Sequence, residues 1–406
     1  MATDSPSFGT IPQNAPGKPE PFTLRVSDED LADFRSLLRL SKVGPATWEN
    51  GRGDGSLGVT RDWLAGAKDA WLDSFDWRTH EAHINSFPNF KLAVQDAECG
   101  GELDVHFAAL FSARPDATPV IFMHGWPGSF LEFLPILDLL RQRYTPETLP
   151  FHAVVPSLPG YTLSSGPPVD RDFTLRDAAR VLNRLMVDLG FGGGYVAQGG
   201  DVGYFLARIM SATYDECKAL HVNFLFPGAG DMPKTYEGLS EQDVRHIERT
   251  KHWRATGSAY SLEHGTRPAT IGLVLSSSPL ALLAWIGEKL LEWVDEPLPL
   301  DTILRMVSLY WFTSTFPRCI YPYRSILASH TKPLPISREK PLGYSYFPQE
   351  LAGLPEAWDS LFPNLKFRSS HSKGGHFAAL EQPEALLGDV EKFVKLVGPI
   401  QGTASE

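Results

Sequence analysis

The chain has 406 residues, 43% of them apolar and 21% charged, with a formal net charge of −11. That composition suits a well-packed globule of one large α/β domain plus an inserted or appended module, and it offers no basic face for nucleic acid. Three well-separated cysteines, Cys99, Cys217 and Cys319, with no CxxC pair, suggest neither a disulfide framework nor a thiolate metal site and point to a reducing compartment.

Residues 1–21, rich in Pro, Ser and Gly, are expected to lack a packed core of their own. The first residues show neither the basic nor the apolar region of a signal peptide. An edge strand is expected from Phe22, leading to Ser27-Asp28-Glu29-Asp30, which reads as a helix start. Leu31, Phe34, Leu37 and Leu38 then share one helix face, and a second helix from Thr60 buries Trp63, Ala67 and Trp71 at fourfold spacing. These aromatics read as packing rather than as a ligand box. Short apolar strands follow at 103–111, 119–123, 151–155, 194–197 and 219–225; alternating with helical patterns, they imply a parallel sheet covered on both faces. From Pro227 to about residue 328 the pattern turns helical, with Ser240 capping one helix and others at 280–294 and 301–312. Residues 271–287 are the most apolar long stretch. Ser276-Ser277-Ser278-Pro279 interrupts them, and they fall short of the ~20 residues a bilayer needs, so a buried helix and no membrane span are expected. Strands return at 341–347 and 365–369, and an amphipathic helix spans 383–397. The expected organisation is an N-terminal segment wrapping the core over 1–100, a first core half over 101–226, an inserted helical lid over 227–330 and a second core half over 331–406.

Gly199-Gly200-Asp201-Val202-Gly203 falls where a buried strand turns into a helix. A turn that sharp strains the central residue and requires small neighbours, and it aims the Val202 N–H at whatever bonds to residue 201. It reads as a nucleophile elbow of the α/β-hydrolase fold with Asp in the place of Ser, and no GxSxG occurs elsewhere in the chain. A Gly-rich turn with a capping Asp is the alternative. His124-Gly125-Trp126-Pro127 follows an early strand, where the Trp126 N–H can join that of Val202 in an oxyanion hole; His124 itself reads as structural. His376, on the Gly-rich loop Ser372-Lys373-Gly374-Gly375-His376, suits a general base, with His371 as the rival. Glu350 follows a strand at the right point for the orienting acid, and the order Asp201, Glu350, His376 fits the fold. Glu356 and Asp359 are nearby alternatives. A carboxylate nucleophile suits an sp3 carbon bearing a leaving group, because it yields an ester that water can reopen. The leaving group is then an epoxide oxygen or a halide. Tyr260 and Tyr323 in the helical block are phenols suited to protonate a departing alkoxide, although most tyrosines are simply packed.

Taken together the chain resembles the epoxide hydrolases of the microsomal type, and among them the soluble fungal (Aspergillus-type) members. The resemblance runs over nearly the whole length: Asp76-Trp77-Arg78, Asn85-Ser86-Phe87-Pro88-Asn89-Phe90, His124-Gly125-Trp126-Pro127-Gly128-Ser129, Gln198-Gly199-Gly200-Asp201, Arg267-Pro268, Phe347-Pro348-Gln349-Glu350 and Gly374-Gly375-His376-Phe377. It implies an α/β-hydrolase core with a helical lid and an N-terminal meander. It implies Asp201 as nucleophile, His376 as water-activating base, Glu350 as its orienting acid, Tyr260 and Tyr323 as epoxide-binding acids, and the Trp126 and Val202 amides as the oxyanion hole. No metal or cofactor is implied. A small apolar epoxide is the expected substrate, and a soluble, cytoplasmic homodimer acting in detoxification or aromatic-hydrocarbon catabolism is the expected form. Tyr204 departs from the small residue that relatives tend to place after the elbow glycine, and Glu350 stands where some have Asp. Haloalkane dehalogenases resemble the chain less, since they place Trp directly after the nucleophile where Val202 stands here. A non-catalytic binding protein of this fold would be expected to have lost a triad member.

Overall fold

The computed structural model describes residues 7–227, 235–329 and 334–400, so the expected borders of the helical block near 227 and 330 lie at the edge of or outside the described residues. Residues 7–21 lie against the core rather than forming one. Phe8 accepts a hydrogen bond from the Phe111 N–H at 2.8 Å, and Gly17 donates to the Asp188 carbonyl at 2.8 Å. Helix α1 (Asp28–Leu40) starts where the Ser27 hydroxyl caps the Asp30 N–H at 2.9 Å. It buries Phe34 and Leu38, whereas Leu37, expected on the same face, is 43% exposed. Packed on α2 (Arg61–Asp73) and on the later helix Pro279–Glu292, α1 buries a narrower stripe than the sequence periodicity suggests. Thr60 caps α2, Ala67 and Trp71 are buried, Trp63 is partly buried, and the Trp71 indole donates to Ser308 at 3.0 Å. A further helix, α3 (Trp77–Asn85), capped by Asp76, was not anticipated.

Among the described residues, nine strands, β1 (Glu20–Pro21), β2 (Asn89–Asp96), β3 (Gly101–Leu110), β4 (Thr118–Met123), β5 (Phe151–Pro156), β6 (Tyr195–Gly199), β7 (Cys217–Val222), β8 (Leu342–Tyr346) and β9 (Leu365–Ser370), form one sheet in the order β1-β2-β3-β5-β4-β6-β7-β8-β9. The sheet is mostly parallel, as expected, with antiparallel pairs confined to one edge. The pairs β1/β2, β2/β3 and β3/β5 run antiparallel, and only from β5 through β9 are neighbours parallel. The edge strand ends at Pro21, one residue before its expected start, although the Phe22 N–H still donates to Asn89 at 2.8 Å. β2 went unread in the sequence, yet it alternates as a half-buried strand must, with Phe90, Leu92 and Val94 inward. β7 stops at Val222, three residues before its expected end, which frees Asn223 to turn toward the elbow.

Helices α4 (Leu134–Arg143), α5 (Leu175–Met186) and α6 (Asp201–Thr213) pack on the sheet, joined later by α14 (Ala378–Glu381) and α15 (Pro383–Val397). Between β7 and β8 lies the helical block: α7 (Glu241–Thr256), α8 (Ala259–Thr266), α9 (Pro268–Leu275), α10 (Pro279–Glu292), α11 (Leu300–Phe312), α12 (Phe316–Cys319) and α13 (Pro322–Ala328). Four of these helices carry Pro in the first turn, where its missing N–H costs nothing. The Ser-rich break between α9 and α10 bends the chain by 117°, and no single described helix is long and apolar enough to cross a membrane.

Candidate active site

The turn between β6 and α6 has the strain that its glycines permit. Asp201 sits at φ 47°, a left-handed conformation rare outside glycine. A Cβ on Gly199 would lie 2.4 Å from the Gly203 carbonyl, and one on Gly203 would lie 2.1 Å from the Met123 carbonyl. Neither position tolerates a side chain while the turn stays this tight. The β4 loop comes equally close, since a Cβ on Gly125 would meet Asp201 Oδ1 at 2.3 Å. That closeness brings the Trp126 N–H to Asp201 Oδ1 at 2.7 Å. Val202 occupies the first turn of α6, where N–H groups have no partner within the helix.

His376 and Glu350 meet the same carboxylate from the other core half. His376 Nε2 lies 3.6 Å from Asp201 Oδ2, a charge contact longer than a hydrogen bond, and Nδ1 donates to Glu350 Oε1 at 2.5 Å. Burial pushes the imidazole's pKa down, but the Glu350 and Asp201 carboxylates outweigh it and raise it to about 10. The alternatives go elsewhere. His371 pairs with Asp389 at 2.6 Å, Asp359 pairs with Arg368 at 2.5 Å, and Glu356 is exposed. His124 is buried and neutral, its pKa lowered to about 4 by burial; its Nε2 accepts from the Leu158 N–H at 3.2 Å, so it braces the β4 and β5 loops.

Above Asp201 the helical block supplies an aromatic wall. The Trp126 ring stacks on Tyr260 at 5.1 Å and meets Tyr323 edge-on at 5.8 Å, with Trp293 at 6.3 Å. Both phenols are buried, and burial first, then neighbouring charge including Asp201, raises their pKa well above the usual value, so both keep their protons. Tyr204 is fully buried against Phe224 and Phe226, with its hydroxyl taking a hydrogen bond from Arg208 at 3.1 Å. Phe224 in turn stands edge-on to the His376 ring at 6.0 Å.

Several further residues shape the site. Arg249 on α7 bonds the Gln349 carbonyl and donates to the Glu350 carbonyl at 2.9 Å, while Thr250 donates to the Leu351 carbonyl at 2.8 Å. One Glu381 oxygen accepts the Gly375 and Phe377 N–H groups, each at 3.2 Å, and so cradles the loop that carries His376. The buried Lys289 ammonium lies 4.8 Å from the Tyr260 ring centre. Glu132, in a short 3₁₀ turn (Phe130–Phe133), borders the same small cavity as Asp201 and His376. Its signal was a lone carboxylate within the apolar run Phe130-Leu131-Glu132-Phe133-Leu134. A larger cavity, about 240 Å³, lies between α1 and helices α9 to α12, and neither Asp201 nor His376 lines it.

Comparison with known proteins agrees over nearly the whole chain. Residues 19–133 match the epoxide hydrolase N-terminus family and residues 118–223 the alpha/beta hydrolase fold. A putative epoxide hydrolase of Dothistroma septosporum is 46% identical over 392 residues, covering 95% of this chain and 92% of its own length. Epoxide hydrolase 1 of Sus scrofa is 30% identical over 93% of this chain and 88% of its own. The solved structure of Aspergillus niger epoxide hydrolase superposes with a TM-score of 0.91 at 52% identity, covering 97% of this chain and all of that one. Of the two leaving groups open from the residues alone, these relatives select the epoxide oxygen, and the chain is an epoxide hydrolase of the microsomal-type family, built on the α/β-hydrolase fold.

Proposed function

We propose that the enzyme opens an apolar epoxide through an ester on Asp201 and then hydrolyses that ester to release a vicinal diol. The observation that carries this reading is the strained Asp201 carboxylate held between the Trp126 N–H and His376. With Oδ1 on the Trp126 amide, Oδ2 is the free oxygen for back-side attack on an epoxide carbon. The epoxide oxygen leaves as an alkoxide and takes a proton from Tyr260 or Tyr323. The rings of Trp126, Tyr260, Trp293 and Tyr323 favour an apolar substrate.

The proton inventory closes on these residues. In the resting site His376 is an imidazolium between two carboxylates. Alkylation neutralises Asp201, so the imidazolium loses one of the two charges that hold its proton, and that proton restores the phenolate left by ring opening. His376, now neutral and oriented by Glu350, takes a proton from water as the water attacks the ester carbonyl. The developing oxyanion falls on Oδ1, at the Trp126 and Val202 amides. Collapse of the tetrahedral intermediate releases the diol and regenerates carboxylate and imidazolium.

Single-turnover hydrolysis in 18O-water with enzyme in excess tests the scheme. Label is expected in the Asp201 carboxylate and absent from the first diol; label arriving directly in that diol sinks the covalent route. We read α7 to α13 as the lid over this site, and the enzyme as a homodimer joined through lid and N-terminal elements. Leu37 and Leu40 on α1 and Leu273 and Val274 on α9, apolar yet exposed, are where such an interface would form. A light-scattering mass of one chain removes the dimer.

A further inference from the structure

Glu132 is a buried carboxyl group that the two-step scheme does not use. It lines a cavity with Asp201, His376, Gly125, Trp126 and Asn223 in which the centre of a water-sized molecule has about 20 Å³ to occupy, room for one water. Its carboxyl reaches that space through a gap made by glycine. A Cβ on Gly128 would lie 1.3 Å from Glu132 Oε1, so any other residue there would displace it. The Gly128 carbonyl is in turn fixed by the Tyr310 hydroxyl at 2.7 Å, which holds the gap open.

We infer that Glu132 is a positioning residue for the second half-reaction, holding the hydrolytic water against the Asp201 ester opposite His376. The inference rests on the covalent reading above. Three of the residues lining that cavity bear on such a water: Asp201, His376 and Glu132. A water attacking with one lone pair has two hydrogens to place. One goes to His376 as the base, and the other is accepted by the Glu132 carbonyl oxygen. An uncharged acid suits this role, since a second carboxylate would oppose the negative charge building on Oδ1. Burial raises the Glu132 pKa to about 8, with Asp201 and Glu350 adding to the shift and His376 opposing it, so the group is largely protonated at neutral pH. Glutamine keeps the accepting carbonyl at the same reach, whereas leucine removes it.

The test separates the two half-reactions by rapid quench with styrene oxide and excess enzyme, following the covalent ester by intact mass. In Glu132→Leu, ester formation is expected to stay within about twofold of wild type while ester breakdown slows about 10²-fold. Glu132→Gln is expected to restore most of the breakdown rate. Gly128→Ala, which leaves the carboxyl in the chain but pushes it from the cavity, is expected to behave like the leucine variant. Breakdown in Glu132→Leu at the wild-type rate overturns the inference. So does an equal slowing of both steps in the leucine and glutamine variants, because a merely structural role would produce it. If the wild-type protein forms no ester at all, the covalent reading itself fails, and that outcome is distinct from the other two.

Discussion

At the scale of single residues, the charge on Asp201 controls more than nucleophilic attack in the proposed scheme. His376 holds its proton because two carboxylates face it, one at 2.5 Å and one at 3.6 Å. Asp201→Asn removes the second charge and keeps the shape, with the Trp126 N–H still able to donate to the side-chain oxygen. The His376 pKa is then expected to fall by about 1–3 units from its resting value near 10. Titration of labelled histidine by NMR reads the change directly. A pKa that does not move would mean that Glu350 alone holds the proton, and alkylation could not switch the base on. The phenols make a parallel case. A hydrogen bond to a charged oxygen contributes about 1.5–3 kcal/mol, so Tyr260→Phe or Tyr323→Phe is expected to slow ester formation roughly 10- to 100-fold and leave ester breakdown nearly unchanged. Equal slowing of both steps would argue that the tyrosines only pack.

Elements explain why some of the site was legible and some was not. The elbow could be read because sterics force glycine at 199 and 203, and such requirements leave a mark in the sequence. Tyr260 and Tyr323 were placed by resemblance, since one phenol in a helix looks like any other packed ring. Nothing local announces Arg249. It lies on α7, a hundred residues before the acid loop, and its role appears only when the inserted helices fold over residues 348–351. The antiparallel edge was missed for a related reason. β2 has the right alternation, but its partners β1 and β3 lie far before it and just after it, and periodicity alone does not choose a direction. The α7 clamp yields a prediction at this scale. Arg249→Met frees the Gln349 and Glu350 carbonyls, loosening the acid from His376. Ester breakdown is expected to slow more than ester formation, with a stability loss of about 1.5–3 kcal/mol in urea unfolding. A stability loss with both rate constants intact would confine Arg249 to the fold.

Across the whole molecule, buried histidines set the pH range of stability. Burial lowers the pKa of His106 and His264 to about 3 and that of His124, His152, His221 and His246 to about 4. Unfolded, each would titrate near 6.5. Below that pH the unfolded chain binds more protons than the folded one, so stability falls as pH drops from about 6.5 toward 4. Buried acids oppose this, because Glu132, Glu292, Asp359 and Glu381 are held above their usual values by burial and so bind protons in the folded state. The six histidines outnumber those four acids, and each is brought down from about 6.5 to about 3 or 4. The acid side is therefore expected to destabilise. On the alkaline side the sign reverses for other groups. Glu132, up to about 8, and His376, up to about 10, keep protons in the folded state that the unfolded chain has released, so stability declines as pH rises through those values. Scanning calorimetry from pH 4.5 to 10 is expected to show Tm highest between about 6.5 and 7.5, with the steeper fall on the acid side. Asp201→Asn should flatten the alkaline limb, because the raised His376 pKa depends on that charge. A Tm that keeps rising from pH 7 to 9 would mean that His376 rests neutral, and the proton needed to restore the tyrosine phenolate would then have to come from solvent.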